Sequence, residues 1–116
     1  MKPKIFIAMV YCVFLATGCH YDSPQEIACS TTNVTYSNTI MSIINSNNCL
    51  TCHGTPLNNN APFNLETYAN VFAQKDRLFG ALNHSNGFAP MPQGLPKLNQ
   101  CDIDKVAIWV ASGAPQ

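Results

Sequence analysis

The stretch Cys49-Leu50-Thr51-Cys52-His53, followed by Gly54, decides how the rest of this 116-residue chain is read. Two cysteines three apart lie on one side of a helical turn, and the next residue swings an imidazole beneath the plane that the two sulfurs define. That arrangement suits thioether bonds to the two vinyl groups of a porphyrin, with the histidine on its iron. Three other uses of a Cys-x-x-Cys pair need partners. Zinc would require a second ligand pair, whereas Cys29 and Cys101 are isolated and no His-x-x-x-His occurs. A thioredoxin-like redox pair belongs to a strand-helix-strand setting, and the chain offers no alternating pattern longer than four residues. A structural Cys49 to Cys52 disulfide would leave His53 without a task. The expectation is one covalent haem c, with Cys49 and Cys52 as thioether sites and His53 as the proximal ligand.

A haem iron with one histidine has a sixth position to fill, and four residues compete for it. Met41 lies twelve residues before His53, on the helix that delivers the proximal ligand, and is expected to pack in the core. His20 belongs to a polar tether. Met91 lies in Ala89-Pro90-Met91-Pro92, where flanking prolines stiffen the chain and leave little entropy to lose on ligation. Met91 is the favoured distal ligand, and His84 is the runner-up.

Outward from this motif the pattern is helical. Ser37 or Asn38 can cap a first helix with Ile40, Ile43 and Ile44 at i, i+3, i+4, running toward Asn48 and Cys49. Pro56, Asn58 to Asn60 and Pro62 force a loop. Asn64 can cap a second helix with Leu65, Tyr68, Val71 and Phe72 on one face, and a third around Asp76 to Asn83 carries Leu78, Phe79 and Leu82. Five glycines and prolines between His84 and Leu98 exclude a regular element. The last helix has Asn99 as N-cap, an apolar stripe of Ile103, Val106, Ala107 and Val110, and Gly113 then Pro115 as the stop. The fold class is all-α, three to four short helices around one haem.

The beginning of the chain reads as an export signal. Lys2 and Lys4 precede an uncharged 13-residue run, Ile5 to Thr17. At about 1.5 Å per residue such a run crosses only two thirds of a ~30 Å hydrocarbon layer. Leu15-Ala16-Thr17-Gly18-Cys19 resembles a bacterial lipobox, with Ala16 where leucine is usual, which makes residues 1–18 the signal and Cys19 the lipidated residue. Cys12 is apolar filler within that signal. Residues 19–33, rich in Ser, Thr, Asn and Asp, suit a tether, and residues 34–116 form the domain. The predicted location is the cell envelope, as an exported periplasmic or outer-membrane lipoprotein held to the membrane through its lipid.

Six basic against six acidic residues make the whole chain neutral, which counts against nucleic acid as a partner. Losing Lys2 and Lys4 leaves the mature chain at −2. A chain of 98 residues with few large apolar groups is thinly cored, so a bulky cofactor or a disulfide is expected as core material. Cys29 and Cys101 are left over in an oxidising compartment. A bridge across their separation of 72 residues would stabilise by roughly 4 kcal/mol; free thiols or intermolecular pairing are the alternatives.

From about Val34 to Pro115 the chain resembles a class I c-type cytochrome domain, of the small monohaem kind found on exported bacterial lipoproteins. The resemblance rests on the Cys-x-x-Cys-His at the end of the first helix, Tyr68-Ala69-Asn70-Val71, Gly80-Ala81-Leu82 through His84, Met91-Pro92-x-Gly94, Lys97-Leu98, Cys101-Asp102-Ile103, Trp109 and Gly113-Ala114-Pro115. It implies Cys49 and Cys52 as thioether sites, His53 and Met91 as axial ligands, and first and last helices that cross with Trp109 near the crossing. With both axial positions filled, no place is open for substrate, and no Ser-His-Asp set, phosphate loop or carboxylate pair points to catalysis. The expected function is one-electron transfer to a redox partner protein, without enzymatic activity of its own. The alternatives are an electron-entry module of a periplasmic oxidoreductase complex and a haem-based sensor or ligand-binding module.

Overall fold

Thr35 and Asn38 start the first helix by capping each other. In the computed structural model, which describes residues 28–116, the Thr35 hydroxyl accepts from the Asn38 amide at 3.3 Å, and the Asn38 side-chain oxygen accepts from the Thr35 amide at 2.9 Å. Helix α1 follows as a π-helical turn, Tyr36–Ile40, that continues as an α-helix over Met41–Ser46. It begins earlier than the expected Ser37 or Asn38 because the reciprocal cap satisfies two amides at once. It also ends earlier. Asn48 takes a left-handed conformation, φ 55°, which asparagine tolerates better than most residues, and the chain restarts as a single turn, α2, at Leu50–His53.

Helix α3 spans Tyr68–Ala73 and is capped by Thr67. Asn64, the expected cap, instead accepts from the Glu66 amide at 2.7 Å and closes a turn ahead of the helix. Helix α4 covers Lys75–Leu82 and α5 covers Gln100–Ala111, the latter capped by Asn99, whose side chain accepts from the Asp102 amide at 2.9 Å. Gly113, at φ 90°, ends α5. Among the described residues five helical segments thus stand in place of the three or four expected, the break at Asn47 and Asn48 making the difference. Residues 84–98 hold no regular element, as their prolines and glycines predict, and no strand occurs among the described residues.

Ile40, Val71, Ile103, Val106 and Trp109 form the fully buried centre, with Tyr36, Ile43, Ile44, Leu65, Leu78 and Leu82 around it. The buried face of α1 is Tyr36, Ile40, Ile43 and Ile44, which turns Met41 outward at 47% exposure and corrects its expected place in the core. Phe72 is likewise turned out beside the buried Val71, and the Lys75 ammonium lies 4.9 Å from its ring centroid.

The start of α1 and helix α4 both pack against α5. Residues 114–116 tie that end of the fold together. Trp109 Nε1 donates to the Pro115 carbonyl at 2.8 Å, Tyr36 donates its amide to the same carbonyl at 2.9 Å, and the Tyr68 hydroxyl donates to Ala114 at 2.9 Å. Ser37 donates through both its amide and its hydroxyl to the Gln116 carbonyl. Cys29 and Cys101 are joined by a disulfide, Cα to Cα 5.5 Å, which fastens the segment before Val34 to the first turn of α5. The export signal, Cys12, Cys19 and His20 lie outside the described residues. Among those described, no helix is long and apolar enough to cross a membrane.

Candidate functional site

The single turn α2 carries the motif, and its backbone is held on both sides. Cys49 donates its amide back to Ile44 at 3.1 Å, His53 donates to Cys49 at 2.9 Å, Asn58 donates to the Cys52 carbonyl at 3.0 Å, and Leu65 donates to the His53 carbonyl at 2.7 Å. Gly54 follows because no side chain fits there: a Cβ would collide with the Leu50 carbonyl oxygen. The 55–66 loop is then folded over the turn by Glu66. Its carboxylate accepts from the Thr55 amide at 3.0 Å, the Thr55 hydroxyl at 2.7 Å and the Asn64 side chain at 2.9 Å. These bonds, Thr55's hydroxyl foremost, hold the Glu66 carboxyl below its ordinary range.

That loop delivers the group that orients the histidine. His53 is buried at 8% exposure, stacks on Phe63 at 5.0 Å between centroids, and lies with Nδ1 2.9 Å from the Phe63 carbonyl. A carbonyl can only accept, so Nδ1 carries the proton and Nε2 carries the lone pair. No described residue bonds to Nε2. No buried side-chain nitrogen or oxygen among the described residues is sealed without a partner, so Nε2 opens onto accessible space. An imidazole prepared in this way has the form a metal ligand needs, with its other nitrogen fixed by the protein.

Cys49 and Cys52 are both free thiols, half-buried, and the Asn59 side-chain Nδ2 donates to the Cys52 sulfur at 3.1 Å. Burial pushes the Cys49 thiol up, so it is protonated at neutral pH; a redox-active pair relies on the opposite shift. Among the described residues no three His, Cys, Asp or Glu side chains converge on a point, so a closed zinc site has no donor set there. Cys49, Phe63 and Met91 all pack as half-buried groups against the same apolar core. Met91 donates its amide to Ala81 at 3.0 Å, and His84 turns its Nε2 to the Met91 carbonyl at 3.0 Å.

No protein-family model, curated protein or solved structure matches the chain.

The Phe63 carbonyl, the Glu66 clamp and the His84 contact were not foreseen from sequence. The first is a backbone atom and leaves no trace in residue identity. Glu66 had a faint signal in Asn64-x-Glu66-Thr67, a turn sequence in front of a helix. The donor chemistry of Cys49, Cys52 and His53 fits a covalently attached haem: two free thiols at i and i+3 and an adjacent imidazole with its Nε2 lone pair available.

Proposed function

We propose that residues 34–116 form a c-type cytochrome domain that carries single electrons for a redox partner protein, tethered through a lipid on Cys19 after export. The observation that supports this most directly is the His53 imidazole, fixed by Phe63 through Nδ1 and open at Nε2, directly after two free thiols. Haem c, when bound, supplies an iron that changes oxidation state by one electron. The chain's own part is to hold that iron still. Cys49 and Cys52 anchor the ring through sulfur, and His53 is kept from rotating by its bond to Phe63 and its stacking on that ring. Met91 offers a thioether from a loop anchored to α4, and thioether ligation favours the reduced form, raising the potential. With His53 and Met91 both holding the iron, no place would be left on it for a substrate, which would make the domain a carrier and not a catalyst.

The deciding experiment is an intact mass and an optical spectrum of the full chain exported in a host that makes c-type cytochromes. One covalent haem per chain and a low-spin spectrum are expected. A chain of unmodified thiols would overturn the proposal, and rapid binding of carbon monoxide by the reduced wild-type protein would favour a sensor.

A further inference from the structure

The loop after α4 grips Met91 from both sides of its peptide. The Ala81 carbonyl accepts from the Met91 amide at 3.0 Å and also from the His84 amide at 3.2 Å. The Ser85 amide donates to Gly80 at 2.9 Å, and Phe88 closes the turn by donating to Ser85 at 3.2 Å. Phe88 lies flat against Gly80, where a Cβ would stand 2.6 Å from the ring, so the loop is seated on a bare stretch of helix. His84 occupies the left-handed region at φ 53°, a turn that directs its ring back along the loop. Its Nε2 reaches the Met91 carbonyl at 3.0 Å. Because that carbonyl can only accept, Nε2 carries the proton and donates. The nitrogen that a histidine most readily offers to a metal is thereby spent on the backbone of another residue.

We infer that His84 is a positioning residue for Met91: its Nε2–H holds the Met91 carbonyl, fixes the loop that presents the thioether, and withholds the His84 imidazole from the iron. The inference rests on the reading of Met91 as distal ligand, and it assigns to His84 a task other than ligation. One hydrogen bond of this kind contributes enough to change an open-to-closed ratio by about fivefold. A distal thioether must leave before carbon monoxide can bind reduced iron, so the association rate reports how often the loop lets go.

The test compares the exported full chain with its His84→Ala, His84→Gln and Met91→Ala variants. His84→Ala is expected to bind carbon monoxide about fivefold faster and to lose part of the far-red thioether-to-ferric-iron band. His84→Gln, which keeps an N–H donor, should recover part of both. In the Met91→Ala background the His84→Ala change should add nothing, because the group it positions is gone. A purely structural role would instead slow or speed both backgrounds alike. An unchanged rate in folded His84→Ala, or loss of the low-spin spectrum there but not in Met91→Ala, would overturn the inference. Nitrogen NMR of the haem-free full chain provides a readout without iron: His84 should be the Nε2–H tautomer. Finding the Nδ1–H tautomer would sink the role of His84 even with covalent haem present. A wild-type chain that takes up no haem would sink the proposed function and leave the tautomer result standing.

Discussion

The two ends of this small domain are built on opposite terms. At the 114–116 end, Trp109 is sealed, Tyr36 is nearly so, and hydrogen bonds from Trp109, Tyr36, Ser37 and Tyr68 converge on three consecutive carbonyls. No buried side-chain nitrogen or oxygen among the described residues is left without a partner there. At the motif end Cys49 and the four-residue turn after it present two free thiols and an imidazole nitrogen with no partner among the described residues. Large apolar side chains such as Met41, Leu57, Phe72, Phe88 and Leu95 are left more than a third exposed in the described part of the chain. The difference teaches that stability and chemistry are separated in space: one end closes on itself, and the other is held in shape while its reactive atoms are kept available.

That separation can be broken by mutation, and the clamp should break first. Trp109→Ala removes a fully buried indole and its bond to Pro115, at a cost of about 3–5 kcal/mol, and should unfold most of the chain at room temperature by circular dichroism. Replacing Cys29 and Cys101 together with serine should lower stability by about 2–4 kcal/mol in urea titrations, through the loss of a cross-link spanning 72 residues. His53→Ala in the haem-free chain should cost only about 1–2 kcal/mol, one part-buried hydrogen bond and a stacked ring, yet abolish low-spin ligation in the exported protein. If it destabilised as much as Trp109→Ala, the contrast between the two ends would be lost.

The smallest effect is expected at Glu66, which is exposed, and is best read through pH. Its carboxyl is held below its ordinary range in the folded chain, so its stabilising effect is present above the unfolded value and is lost as pH falls through the folded one. Glu66→Gln should therefore flatten the acid limb of the stability curve by lowering stability slightly at neutral pH while leaving it nearly unchanged at low pH. Amide exchange at Leu65, which donates to His53, should quicken in the same variant.

The last helix was legible from sequence almost residue by residue, because Asn99, the Ile103, Val106 and Val110 spacing, and Gly113 all act locally. The first helix was legible in its apolar face but not in its ends. Thr35 competes with Ser37 as a cap on equal composition, and only the reciprocal bond with Asn38 decides between them. The break at Asn48 was invisible for a similar reason, since asparagine permits a left-handed turn without requiring one. Asn64 and Thr67 are both good caps, and the Glu66 clamp drew Asn64 into the loop.

Sequence by itself determined the helical class, the irregular 84–98 loop, and the identity of the donor atoms, because these follow from local backbone preference and from side-chain chemistry. Tertiary structure alone decided which atoms those donors keep free. The Phe63 carbonyl fixes the proton on His53 Nδ1, and the Met91 carbonyl fixes it on His84 Nε2. Both choices are made by backbone oxygens brought close by folding, and a carbonyl oxygen is the same at every position in the sequence.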